Sequence, residues 1–283
     1  MNRKTRRWLA GCAGLVVILL VSLGTAGCAN IVNKLKARDK LNKGVNAYKS
    51  AKFEDAINLF QESKQLDPEL LNARLYLATA YASQYIPGAP SEENQARGEN
   101  AIKEFKDVLG IDAQNLSAID GIGSILFQMG GTPYSPEKFE ESRSYHMKHI
   151  EISPNDPEPY YWVGVINWTL AYRGNRELRA EYNRNSPRRT VKDDEPMPDP
   201  VREQFVEKYG ATIESGIQRL DKAIELRPDY DDAMAYLNLL YRQKADMVTS
   251  AEERETLLTR ADEIVEKVKE IKNRRLTEPA PKT

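Results

Sequence analysis

Apolar positions recur along most of this chain at the three- and four-residue spacing of amphipathic helices. Ala261, Ile264, Val265 and Val268 are one such stripe. Several amphipathic segments are closed by the same kind of tetrapeptide: Gln65-Leu66-Asp67-Pro68, Glu151-Ile152-Ser153-Pro154 and Glu225-Leu226-Arg227-Pro228, with Gly110-Ile111-Asp112-Ala113 as a weaker copy. After each closure a second apolar segment begins, centred on residues 75–81, 119–123, 161–164 and 236–241. Proline stops a helix because it lacks the amide donor and its ring crowds the preceding turn. The pattern predicts an all-α chain of paired helices that repeat along the sequence.

Over residues 37–70 the chain resembles the tetratricopeptide repeat (TPR) family. Gly44, Ala56, Phe60 and Pro68 stand in that motif's two small slots, its large slot and its proline slot. The chemistry agrees with the motif: small residues let two helices approach closely, and a large one fills the space between hairpins. The resemblance implies an all-α fold, an α-solenoid of about five TPR-like helical hairpins with extended loops and one long helical arm. The repeats fall near 37–70, 71–115, 116–156, 157–230 and 231–272. Such hairpins cannot bury their apolar faces alone and must stack. The closing residues Pro68, Ala113, Pro154 and Pro228 lie 45, 41 and 74 residues apart, against 34 in the family. The largest surplus forms an inserted helical arm over 169–210, whose tip, with Pro187, Pro196, Pro198 and Pro200, is expected to project from the solenoid. Residues 273–283, with Pro279 and Pro281, read as a disordered tail.

The N-terminus breaks this periodicity. Arg3, Lys4, Arg6 and Arg7 precede an apolar run over 15–21, which gives way to small residues and Cys28. This is the layout of an export signal. Thr25-Ala26-Gly27-Cys28 resembles the bacterial lipobox, with Thr25 where leucine is usual. Leu9-Ala10-Gly11-Cys12 has no apolar run ahead of it, so it does not serve. The resemblance implies a signal peptide over 1–27, lipidation of Cys28 and a short lipidated tether over 28–33. A retained membrane anchor over 9–26, at the short end of what spans a bilayer, and ordinary secretion are the alternatives. Ala29 after the cysteine points, by resemblance to known sorting rules, to an outer-membrane position facing the periplasm. The bilayer, reached through Cys28, is then one partner, and the setting is the bacterial cell envelope.

Composition narrows the function classes. The 283 residues carry 41 basic and 42 acidic side chains, a net charge of −1, which argues against nucleic acid as a partner. Two cysteines and two histidines exclude a disulfide scaffold and a cysteine-rich zinc site. No phosphate loop, nucleophile elbow or His-Glu-x-x-His stands in the chain, so no catalytic residue, no metal and no cofactor is expected. His146 and His149, three apart on one helix, leave open a metal- or ligand-binding protein or enzyme as an alternative. The basic residues of the arm, from Arg173 to Lys192, are interleaved with Glu177 and Glu181 and adjacent to Asp193, Asp194 and Glu195, and read as a solvated, salt-bridged face. The resemblance implies a protein or peptide partner held in the concave groove. Tyr48, Phe127, Tyr161, Trp168 and Arg242 are the expected contacts, being the aromatic and arginine types that dominate interfaces.

Overall fold

The computed structural model describes residues 30–277. The expected signal peptide over 1–27, the expected lipidation site Cys28 and residues 278–283 of the expected tail lie outside the described residues. Helix follows helix: α1 (30–49), α2 (Phe53–Leu66), α3 (Leu71–Gln84), α4 (Glu92–Ile111), α5 (Leu116–Gly131), α6 (Pro136–Ile152), α7 (Pro157–Asn185), α8 (Asp199–Leu226), α9 (Asp231–Ala245) and α10 (Ala251–Thr277). No strand occurs among the described residues. None of the described helices is long and apolar enough to cross a membrane. The chain divides within α5 into two compact units, residues 1–121 and 122–283.

In the first unit Phe60 of α2 is fully buried and organises the packing. A Cβ on Gly44 would stand 2.5 Å from Cε1 of that ring, so α1 can lie against α2 only because the residue is glycine. On its other side Phe60 stacks on Tyr76 of α3, with centroids 5.6 Å apart. The buried Ser63 hydroxyl donates to the Ala37 carbonyl at 2.7 Å, fastening α2 to the start of the α1 core face. The loop between α3 and α4 is held by the buried Asn94. Its amide accepts from the Ile86 N–H at 2.7 Å and donates to the carbonyls of Ile86 and Ala89.

In the second unit α7 and α8 form a long antiparallel hairpin. Gly164 packs on Leu220, Gly174 on the face of the Tyr209 ring, and Gly216 on Leu240 and Asn167. Phe205, Ile213, Leu220, Met234 and Leu240 fill the core that α7, α8 and α9 share. Asp156 caps α7 by accepting from the Glu158 N–H, and Pro157 occupies the first turn, where its missing donor costs nothing.

Three boundaries differ from the sequence reading. Helix α1 is already formed at residue 30, the first described residue, so residues 30–33 of the segment expected as a tether are helical, because Ile31 to Lys36 run on without a breaker. Helix α10 runs through Thr277, five residues into the expected tail, with Arg275 bridged to Asp231 at 2.7 Å and Asp229 at 3.5 Å. The tip between α7 and α8 does not project. Val191 and Met197 are buried, Asn183 clasps the Val191 backbone on both sides, and Arg179 donates to the carbonyls of Lys192 and Glu195.

Candidate functional site

In the second unit a groove enclosing about 460 Å³ opens beside α7, α9 and α10. Helix periodicity puts Trp168 and Tyr172, four residues apart, on the same face of α7. Their rings stack at 5.1 Å with planes 15° apart. Tyr236 of α9 meets Trp168 edge-on at 5.3 Å, locking the indole from behind. Leu239 and Leu258 complete the apolar lining, while Arg242, Gln243, Asp246, Arg254, Asp193 and Asp194 supply its polar groups.

The charged groups are positioned rather than loose. Arg242 pairs with Asp262 at 2.5 Å. Arg176 bridges the Tyr172 hydroxyl at 3.2 Å and Asp193 at 3.4 Å. Arg254 donates through one terminal nitrogen to the Asp194 carbonyl at 3.0 Å, while its enclosed Nε has no hydrogen-bond partner.

Beneath the groove lies a buried polar network. The Arg179 guanidinium donates to Asn175 at 2.8 Å, Lys192 O at 2.7 Å, Glu195 O at 3.0 Å and Asp246 at 2.9 Å. Asn175 in turn donates to Asp246 and to Gln243, each at 2.9 Å. The side chains of Arg179 and Asp246 are only 3% and 9% exposed, so this is an ion pair out of water with its remaining valences satisfied. It joins α7, the α7–α8 connection and the end of α9, three of the four elements that line the groove.

Of the expected contact residues, Trp168 and Arg242 come together in this groove. Tyr161 does not line the groove; it packs against Trp162, Tyr230 and the Tyr236 ring that it shares with Trp168. Burial, reinforced by nearby Tyr236, Asp232 and Glu158, holds its hydroxyl well above the ordinary phenol range and keeps it neutral. Phe127 meets Phe139 and Trp162 edge-on at 5.3 and 5.4 Å. Tyr48 lies in the first unit, edge-on to Phe53 at 5.4 Å. Tyr172, Asp193, Asp194, Gln243, Asp246, Arg254 and Leu258 were not among the expected groove residues. Tyr172 alone had a usable signal, its four-residue spacing from Trp168.

The two histidines are packing groups. His146 is 2% exposed and stacks on Trp162, with centroids 5.8 Å apart. A Cβ on Gly123 would lie 2.8 Å from its Nε2. Burial, with a smaller contribution from His149, pushes its pKa down to about 4, so the ring is neutral near pH 7. His149 turns its Nε2 towards Asp156 at 3.4 Å. Among the described residues no group of three or more His, Cys, Asp or Glu could hold a metal ion.

Neither a protein-family model nor a curated protein matches the chain. Solved structures do. A crystal structure of MamA is 15% identical, covers 88% of this chain and 98% of its own, and superposes with a TM-score of 0.54. MamA from residue 41 onward of Desulfovibrio magneticus RS-1 is 16% identical over 86% of this chain and 98% of its own, at 0.55. A double mutant of RS-1 MamA is likewise 16% identical, at 0.56. These are TPR proteins. At such identities the likeness is one of fold, and the fold of this chain is all-α and of TPR type.

Proposed function

We propose that this protein is a non-enzymatic scaffold of the bacterial cell envelope, anchored in the membrane through a lipid on Cys28, that binds a protein or peptide partner in the Trp168–Arg242 groove. The observation that carries the binding half is the groove itself. Its volume of about 460 Å³ lies within the usual range for binding clefts. A stacked aromatic pair and two leucines accept apolar side chains, and the polar rim offers donors and acceptors to an extended backbone. The TPR-type fold is consistent with this use, though a fold by itself names no partner. The anchoring half rests on the basic, apolar and small-residue order of residues 1–28, ending at Cys28.

Two experiments separate the halves. Cys28→Ala abolishes fatty-acid labelling in cells and Cys12→Ala does not; the reverse pattern overturns the anchor assignment. Photo-crosslinking in cells from position 168 captures a partner, and Trp168→Ala then weakens the purified partner's binding by about tenfold or more, as expected of an aromatic hot spot. An unchanged Kd would remove the groove from the account.

A further inference from the structure

The first turns of α1 carry an apolar face that the fold does not use. The core-facing residues of this helix are Ala37, Leu41 and Gly44, all buried, with Val45 and Tyr48 beside them. Ile31, Val32 and Leu35 are instead 63%, 47% and 61% exposed. At about 100° of turn per residue, these three side chains centre roughly 140° away from the core face. Lys34 and Lys36 then fall about 100° to either side of that apolar centre. Exposed Arg38 and Asp39 end the stripe, and Asp39 is already engaged by Lys43 at 2.7 Å. An apolar stripe flanked on both sides by lysines, whose long stems carry the charge outward, is the layout of a helix lying in a membrane interface. The stripe also starts three residues after Cys28 in the sequence, where the proposed lipid would hold it within reach of a bilayer.

We propose that the first two turns of α1 lie in the bilayer surface, with Ile31, Val32 and Leu35 among the acyl chains and Lys34 and Lys36 at the phosphates of anionic lipids. This rests on the anchor reading for proximity, but its physical content is separate from lipidation. It makes the membrane a second, non-covalent contact. A lipid tether alone leaves a domain free to tumble, whereas a helix seated in the interface fixes which face of α1 meets the membrane.

The test uses the full chain, purified from cell membranes and reconstituted into vesicles of phosphatidylglycerol and phosphatidylethanolamine. A diazirine-bearing leucine analogue replaces Ile31 or Leu35, and in controls the exposed Ile86 or Ile111 of the same unit. Mass spectrometry after illumination reads both the adducts and the mass of the peptide bearing Cys28. Phospholipid adducts at 31 and 35 but not at 86 and 111 are expected. Lys34→Glu/Lys36→Glu lowers their yield by about 25-fold, since each lysine contributes about fivefold to partitioning onto an anionic surface and the two factors multiply. Water-quenched products only, adducts to another protein, or adducts to a second copy of this chain each overturn the proposal. The two readings fail separately. Lipid adducts at 35 with unmodified Cys28 remove the anchor and keep the interfacial helix; lipidated Cys28 with no adduct at 35 does the opposite.

Discussion

Replacing Arg179 by methionine keeps the aliphatic stem and deletes the guanidinium. Four hydrogen bonds go with it: those to Asn175, to Asp246 and to the carbonyls of Lys192 and Glu195. The decisive loss is at Asp246, a carboxylate with a 9%-exposed side chain that keeps Asn175 as its partner in the network but no countercharge. Breaking a buried pair from one side costs about 3–5 kcal/mol, most of it the desolvated charge left behind. For a unit of this size that corresponds to a fall in Tm of roughly 6–20 °C. The transition can be followed by tryptophan fluorescence, because Trp162 and Trp168 both lie in the second unit. The double variant Arg179→Met/Asp246→Leu removes both charges and regains at least ~2 kcal/mol relative to the single variant. Because Arg179 also pins the α7–α8 connection, the single variant is cut faster by trypsin at the exposed Arg188 and Arg189. A Tm within two or three degrees of wild type, or a double variant as unstable as the sum of the singles, would refute the network as the element that holds the groove.

Other consequences concern the packing. Gly44→Ala places a methyl where the Phe60 ring stands and destabilises the first unit by about 1–3 kcal/mol; urea unfolding measures the loss, and Phe60→Leu in the same chain recovers part of it. Phe205→Ala leaves a cavity in the second unit's core and costs about 3–5 kcal/mol by the same measurement. His146 makes stability depend on pH. Its folded pKa, about 4, lies below the unfolded value near 6.5, so the unfolded chain binds the extra proton between them. Its contribution is therefore complete above about pH 6.5 and is lost as the pH falls towards 4, at up to about 1.4 kcal/mol per unit. Wild type compared with His146→Leu across that window isolates the slope, and equal slopes would contradict the assignment.

What could be read from the chain was what depends on neighbours in sequence. Gly44, Ala56, Phe60 and Pro68 lie within one hairpin and its closure, so the resemblance to the repeat motif exposed their roles. Trp168 was legible because its position in a repeat fixes its face on the helix. The Arg179–Asp246 pair was not, because its members are 67 residues apart and the arginine sits in a run of charges that looks like a solvated face. The proline-rich tip misled for a related reason: composition marks a turn but cannot reveal that Lys192 and Glu195 present their carbonyls to a buried guanidinium. At the N-terminus the signal-like segment drew attention away from Ile31, Val32 and Leu35, whose exposure becomes evident only when the core face of α1 is known.

The central claim is that a partner occupies the groove beside Trp168. Photo-crosslinking in living cells from positions 168 and 242 in the full chain, with exposed Lys269 of α10 as the control position, tests it directly. The account predicts one discrete protein adduct shared by 168 and 242, absent from 269 and lost on Leu239→Glu. No adduct at 168 and 242, or the same adducts from all three positions, would contradict it.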